Sequence, residues 1–204
     1  MKVTKERSAR NREALVKAAA GLFKEKGFEG VRVAEICERA GLTEGALYHH
    51  FATCGELARE AMQYATDRSV ASLRTLLDGR PGSLGNYLDS YLTVHHRDHR
   101  ATGCTFATCA PEIKDRARGF GGPLTPGLDE CIQLIERSLP PNWSRPARRQ
   151  KAMVIASGLV GGLILARATA KADPRLSREI LRSVHGGLSA VGGLRSPAGG
   201  GTVR

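Results

Sequence analysis

The sequence predicts an all-α chain of about nine helices: a three-helix N-terminal head with a helix-turn-helix, followed by a larger helical domain. Three observations support this. Apolar residues recur at helical spacing along most of the chain. The breaks between these stretches are glycines, prolines or hydroxyl-capped turns. No stretch alternates with the period of two that a half-buried strand needs.

The first helix is expected over 11–26, where Ala14, Leu15, Ala18, Ala19, Leu22 and Phe23 form one apolar stripe and Gly27 ends it. Val33, Ile36, Cys37 and Ala40 mark the buried side of a second helix. Gly41 sits where the chain must turn sharply, a place that favours positive φ. Thr43 then caps a third helix over 44–50 by accepting a backbone N–H. That helix is too short and too weakly apolar to be a core helix. It anchors itself with Leu47 and Phe51 and carries Tyr48, His49 and His50 outward. A short helix of this kind suits a DNA major groove, whose width admits one helix.

Thr53-Cys54-Gly55-Glu56 is a capping-box pattern that opens a helix running to about Leu77. Residues 78–82 break the chain. A helix over 83–100 places Leu84, Tyr87, Leu88, Tyr91 and Leu92 inward, and Thr102-Gly103 ends it. The segment 106–118 either kinks at Pro111 or starts near Ala110, because proline removes a backbone bond and clashes with the preceding turn. Residues 118–123 read as a loop. Thr125 caps the next helix with Pro126 at its first position, and Leu128, Cys131, Ile132, Ile135 and Leu139 form its buried side. A long helix over 144–170 and a last one from Asp173-Pro174 follow. Leu176, Ile180, Val184, Leu188 and Val191 share one side of the last. The domains expected are 1–52 for the head, 53–192 for the helical body and 193–204 for a glycine-rich disordered tail.

Lysine and arginine total 31 against 20 acids, a formal charge of +11, which favours an anionic partner such as nucleic acid or a membrane surface. Lys2, Lys5, Arg7, Arg10 and Arg12 face one acid, Glu6, in the first twelve residues. These are either a solvated basic tail or direct phosphate contacts. Five cysteines without a paired framework or a leader point to a reducing cytoplasm. The apolar run 153–166 is shorter than the roughly 20 residues of a bilayer span and reads as a buried helix, so no membrane partner is expected.

Gly27-Phe28, Val33, Ile36, Ala40-Gly41, Gly45, Leu47-Tyr48, His50-Phe51 and Leu57 resemble the N-terminal domain of the TetR family of bacterial repressors. The string GALYHHF, at this distance from the preceding helix and turn, is the specific part. The resemblance implies phosphate contacts from Tyr48 and His50, and double-stranded operator DNA as partner. Thr43 opens a helix N-terminus whose free N–H groups favour phosphate. Base reading falls to Glu44, Gly45, Ala46 and His49. Glu44 suits a cytosine amine and the Ala46 methyl a thymine methyl; otherwise Glu44 is simply a favourable first-turn acid. The chain departs from the family twice: Arg32 stands where members often carry Ser or Thr, and Cys54 stands where many carry Lys. The first still reaches phosphate with full charge, and the second loses a phosphate-pairing cation.

The resemblance also implies a homodimer and a small-molecule effector in the middle helices. Gly158, Gly162 and Ala166 let helix backbones approach closely. With Ile180 and Val184 they form either a two-fold bundle between subunits or ordinary packing within one chain. For the effector pocket the candidates are Tyr91, His95, His99, Cys104 and Phe106, with His96 at its edge. The histidine and cysteine spacing fits no standard zinc pattern, so no metal is expected. Cys104 is either a reactive thiol or a packed core residue; relatives with Gly-Cys at this point include sensors of electrophiles or oxidants. Cys37 and Cys131 read as structural. No nucleophile–base pair or phosphate loop supports an enzyme, and no cofactor motif is evident. The expected role is a cytoplasmic, nucleoid-associated repressor released from a palindromic operator by its effector, with a thiol switch at Cys104 as the alternative.

Overall fold

The computed structural model describes residues 4–77, 80, 82–112 and 121–194. Among them are ten α-helices: α1 (Lys5–Lys26), α2 (Val33–Ala40), α3 (Glu44–His50), α4 (Cys54–Leu76), α5 (Ser83–Tyr91), α6 (Val94–Asp98), α7 (Thr105–Cys109), α8 (Gly121–Ser138), α9 (Arg145–Thr169) and α10 (Pro174–Val191). A single 3₁₀ turn, Ala110–Glu112, follows α7. The described residues contain no strand.

Two apolar cores organise the chain. In the head, Leu15, Leu22, Ile36, Leu47 and Phe51 meet Leu57 and Ala61 of α4. In the body, Leu84, Leu88, Ile135, Ile155, Leu159 and Leu163 meet Val70 and Leu73, also of α4. Each fully buried leucine contributes about 1.5–3 kcal/mol. One helix thus belongs to both cores, its first half in the head and its second half in the body.

Several elements differ from the sequence reading. Helix α1 starts six residues early, because the Thr4 hydroxyl accepts the Arg7 N–H at 3.3 Å. The basic residues from Lys5 to Arg12 are therefore helical turns rather than a loose tail, and Lys2 lies outside the described residues. Arg12 is held by a bidentate pair with Glu60 and lies 4.7 Å over the Phe51 ring. The helix expected over 83–100 is two helices. Leu92 leaves helical geometry and Thr93 caps α6, its hydroxyl accepting the His96 N–H at 3.0 Å. This split makes ten helices instead of nine.

Helix α8 starts at Gly121, so Thr125 does not cap it and Pro126 lies inside it. Proline there forfeits one bond near the helix end, a small loss compared with a mid-helix break. Of the loop expected over 118–123, residues 118–120 lie outside the described residues and 121–123 are helical. In the capping box before α4, Thr53 accepts the Glu56 N–H at 3.1 Å, whereas the Glu56 carboxylate accepts from Ala52 at 2.9 Å. Gly192, Gly193 and Leu194 stay packed, Gly193 against Trp143; the tail from 195 lies outside the described residues.

Candidate nucleic-acid interface and effector cavity

Gly41 adopts φ 67° and ψ 33°, the left-handed conformation that closes α2, and the Leu42 N–H returns to the Cys37 carbonyl at 2.9 Å. Thr43 then caps α3, accepting the Ala46 N–H at 3.2 Å. The turn sets the angle between the two helices, and the cap fixes where α3 begins. Leu47 and Phe51 are fully buried and pin α3 to the head. Thr43, Glu44, Gly45 and His49 are exposed, Tyr48 is 53% exposed, and Ala46 and His50 are half-buried. Seven of the eight residues expected at the DNA lie on α3 or its N-cap, with Ala46 and His50 less exposed than the rest, and Arg32 sits at the N-cap of α2. Its side chain is 83% exposed, with Glu35 at 3.6 Å.

The electrostatics of this surface are local. Desolvation, then His49 and Arg12, push the His50 imidazole below its ordinary pKa. Neutral His50 still offers one N–H to a phosphate. The Tyr48 hydroxyl lies against the Cys54 thiol, which raises the phenol pKa and keeps it a donor. Cys54 is exposed at the start of α4, beside this surface.

A cavity of about 570 Å³ opens between α1, α4 and the body helices. Tyr91, His95, His99, Cys104 and Phe106 all line it. The histidines divide differently from the sequence reading. His95 and His99 are exposed at its rim and stack at 3.9 Å. His96 is the inward one. Its Nδ1 lies 2.7 Å from the Tyr91 carbonyl, and its Nε2 accepts the Cys104 N–H at 2.9 Å. The break at Leu92 and Thr93 rephases the helix, so the face that held Leu88 and Tyr91 continues through His96 and Arg97. Those two hydrogen bonds require a neutral ring protonated at Nδ1. Desolvation lowers the His96 pKa in agreement with that tautomer. Gly103 is required here: a Cβ at that position would lie 2.9 Å from the His96 ring.

Sequence reading also missed Lys24. It is 7% exposed, lines the cavity from α1, and has its pKa lowered by desolvation. Its signal was a second α1 stripe, Val16 and Ala20 at four-residue spacing, which Lys24 continues. Of the cysteines, Cys104 and Cys131 both line the cavity, and burial pushes Cys131 up to about 12 and Cys109, outside the cavity lining, up to about 11. Cys37 is buried in the head core. The described residues hold no cluster of three metal-ligating side chains.

Two glycines of α9, Gly158 and Gly162, face α10 of the same chain. A Cβ on Gly158 would meet Leu188 at 2.7 Å, and one on Gly162 would meet Val184 at 2.9 Å, both on α10 of the same chain. Ala166 has no exposed surface. These three residues, with Val184, serve close α9–α10 packing within one chain, and Ile180 packs partly against the same core. The outward face of α9 is a different stripe: Met153, Val154, Ser157, Gly161 and Leu165. Leu165 is 58% exposed, and Gly161 has open space at its Cβ. The helix is 25 residues long, so the apolar run is part of a segment long and apolar enough to cross a membrane. It nevertheless buries Ile155, Leu159 and Leu163 in the body core.

Residues 15–61 match the model of the bacterial regulatory proteins of the TetR family. KstR2 of Mycobacterium tuberculosis, an HTH-type transcriptional repressor, is 32% identical over 89 residues, covering 42% of this chain. The match spans 44% of that relative, less than half its length. A TetR transcriptional regulator from Chloroflexus aurantiacus superposes with a TM-score of 0.73 at 21% identity, over 91% of this chain and 95% of its own. E. coli NemR in its reduced form gives 0.72 at 18% identity, over 89% and 97%. These two structures share the fold of head and body together.

Proposed function

We propose that this chain, whose residues 15–61 match the TetR-family model, is a ligand-responsive transcriptional repressor. It binds a palindromic operator as a homodimer in the cytoplasm and is released when a small molecule enters the cavity. The observation that carries this reading is α3: a helix with two fully buried anchors and an outward surface of Glu44, Gly45, Tyr48 and His49. Tyr48, His50 and Arg32 contact phosphate and position the helix; Glu44, Ala46 and His49 read base edges. The cavity lies where α4, shared by both cores, meets the α1 residue Lys24. A ligand that favours a different α4 position changes the spacing of the two heads, and DNA affinity falls by the same coupling. Selection from random duplexes tests the reading. The expected product is a palindrome with half-site centres about 34–36 Å apart, or a multiple of that. Binding without sequence preference overturns it.

The outward stripe of α9 supports the dimer, because no charged side chain interrupts it from Val154 to Leu165. Leu176 of α10 is exposed as well. Leu165→Arg is expected to give a folded monomer that no longer binds a full palindrome, read by sedimentation. Gly162→Leu is instead expected to disrupt the chain itself.

A thiol-gated version of the same switch is favoured by one observation: Cys104 borders the cavity at the start of α7. The structural neighbour NemR was crystallised in a reduced form. Time-resolved alkylation decides the matter. Cys104 labelling that tracks operator release, and release lost in Cys104→Ser, support the thiol version; release unchanged in Cys104→Ser rejects it.

A further inference from the structure

The cavity has a chemical character that the repressor reading does not specify. Its inner wall is apolar, built from Phe106, Ile135, Ala156, Leu159 and Val160. Its charged lining is cationic: Lys17, Lys24 and Arg68 border it, and no aspartate or glutamate does among the described residues. Lys17 is already paired with Glu13. Lys24 is not paired with any carboxylate among the described residues, although it is 7% exposed. A lysine side chain this buried, with no carboxylate opposite it among the described residues, favours an anion at that point of the cavity.

A second, independent feature points the same way. The Tyr91 hydroxyl is buried, lines the same cavity and has no hydrogen-bond partner of acceptable geometry, although the Cys104 thiol lies beside it. It is a donor without an acceptor. Both groups lie within electrostatic reach of Cys104, and so does Arg167. Arg167 directs its N–H groups to the carbonyls of His96 (3.1 Å), Arg97 (3.1 Å) and Ala107 (3.5 Å), so its charge adds to the positive potential there. His96 is committed to backbone partners and leaves that role to Lys24 and Tyr91.

We propose that the cavity binds an apolar organic molecule carrying one carboxylate, whose oxygens accept from the Lys24 ammonium and the Tyr91 hydroxyl while its hydrocarbon body lies against Phe106, Ile135 and Leu159. This rests on the repressor reading only for its consequence. Lys24 belongs to α1 of the DNA-binding head, so a ligand that grips it acts on the head directly. The Glu112 carboxylate, just beyond α7, also reaches the head, accepting the Phe28 N–H at 2.8 Å.

The test uses the full chain and two matched sets of probes: decanoate, decanol and decylamine, then naphthoate and naphthylmethanol. Calorimetry and thermal shift report binding without DNA. At least one carboxylate is expected to bind about tenfold or more tightly than its alcohol, a difference of about 1.4 kcal/mol, and the amine to bind least. Lys24→Met is expected to raise the melting temperature of the free protein, since it removes a buried charge, and to abolish the preference for carboxylate over alcohol. Tyr91→Phe is expected to weaken carboxylate binding several-fold with alcohol binding little changed. Carboxylates that bind no better than their alcohols, or a preference that survives Lys24→Met, overturn the proposal. Carboxylate binding that leaves a selected operator fully occupied sinks the release mechanism and leaves the ligand class standing.

Discussion

Helices α3 and α6 share a local design and have opposite fates. Each is short, each is capped by a threonine hydroxyl, and each carries two adjacent histidines. In α3 the cap, the Leu47 and Phe51 anchors and little else touch the protein, so Tyr48 and His49 stay outside. In α6 the histidine-bearing turn is folded in. His96 bonds Tyr91 and Cys104, and Arg97 donates to Ser177 at 2.9 Å and to Asp98 at 2.7 Å. The lesson concerns partners. A polar side chain turns inward only where its donors and acceptors are met, and α6 has α7, α9 and α10 around it to meet them. Around α3 only the Cys54 thiol beside Tyr48 does so among the described residues, which leaves Glu44 and His49 for an external partner.

The strongest way to break the comparison is to disarm α3. Tyr48→Phe with His50→Ala is expected to weaken DNA binding about a hundredfold on all sequences, as lost charge-assisted contacts from two subunits predict. Its preferred site and its melting temperature are expected to stay unchanged. Anisotropy titrations alongside a melting curve check this; retained affinity would mean that α3 is not the docking element.

The matching change in α6 is expected to do the reverse. His96→Ala leaves the Cys104 N–H without its acceptor and costs about 1–3 kcal/mol of stability, while operator affinity in the free protein is kept. Acid sharpens the contrast. Desolvation lowers the folded-state pKa of His96; the hydrogen bond to the Tyr91 carbonyl works the other way, and the charges of Arg167, Lys24 and His95 add to the lowering. The unfolded chain therefore binds the proton more readily, and the stabilisation from a neutral His96 is lost as pH falls below about 6.5. His96→Gln is expected to flatten that loss in urea titrations between about pH 7 and pH 5. An unchanged slope would show that other groups govern it.

The smallest effect concerns the edge of α3. Cys54→Lys restores a cation beside Tyr48 and is expected to tighten binding a few-fold. The salt dependence of log K should steepen by about 0.9 for each added phosphate contact. An unaltered slope would place residue 54 away from the backbone of the DNA.

The head was legible because its signals are local. Gly41, the Thr43 cap, the Leu47 and Phe51 anchors and the bounds of α3 all follow from φ preference, capping and spacing within a few residues. The ends of α9 and α10 were legible for the same reason, through Ser144 and Asp173. The split at Leu92 and Thr93 was harder, because Thr93 reads equally as a mid-helix residue and as a cap. Lys24 was hidden by its type, since a lysine on a helix is ordinarily solvated.

By itself, then, the sequence determined the helical class, the helix-turn-helix and the main apolar stripe of most helices. Only the tertiary structure decided what covers each face. Gly158 and Gly162 receive Leu188 and Val184, whereas Gly161, one position away, faces open space. His96 turns inward while its neighbour His95 stays at the rim. Periodicity groups residues by angle around a helix axis but does not determine where that axis points. Orientation comes from packing between helices far apart in sequence, and that packing put a lysine of the DNA-binding head into the wall of the cavity.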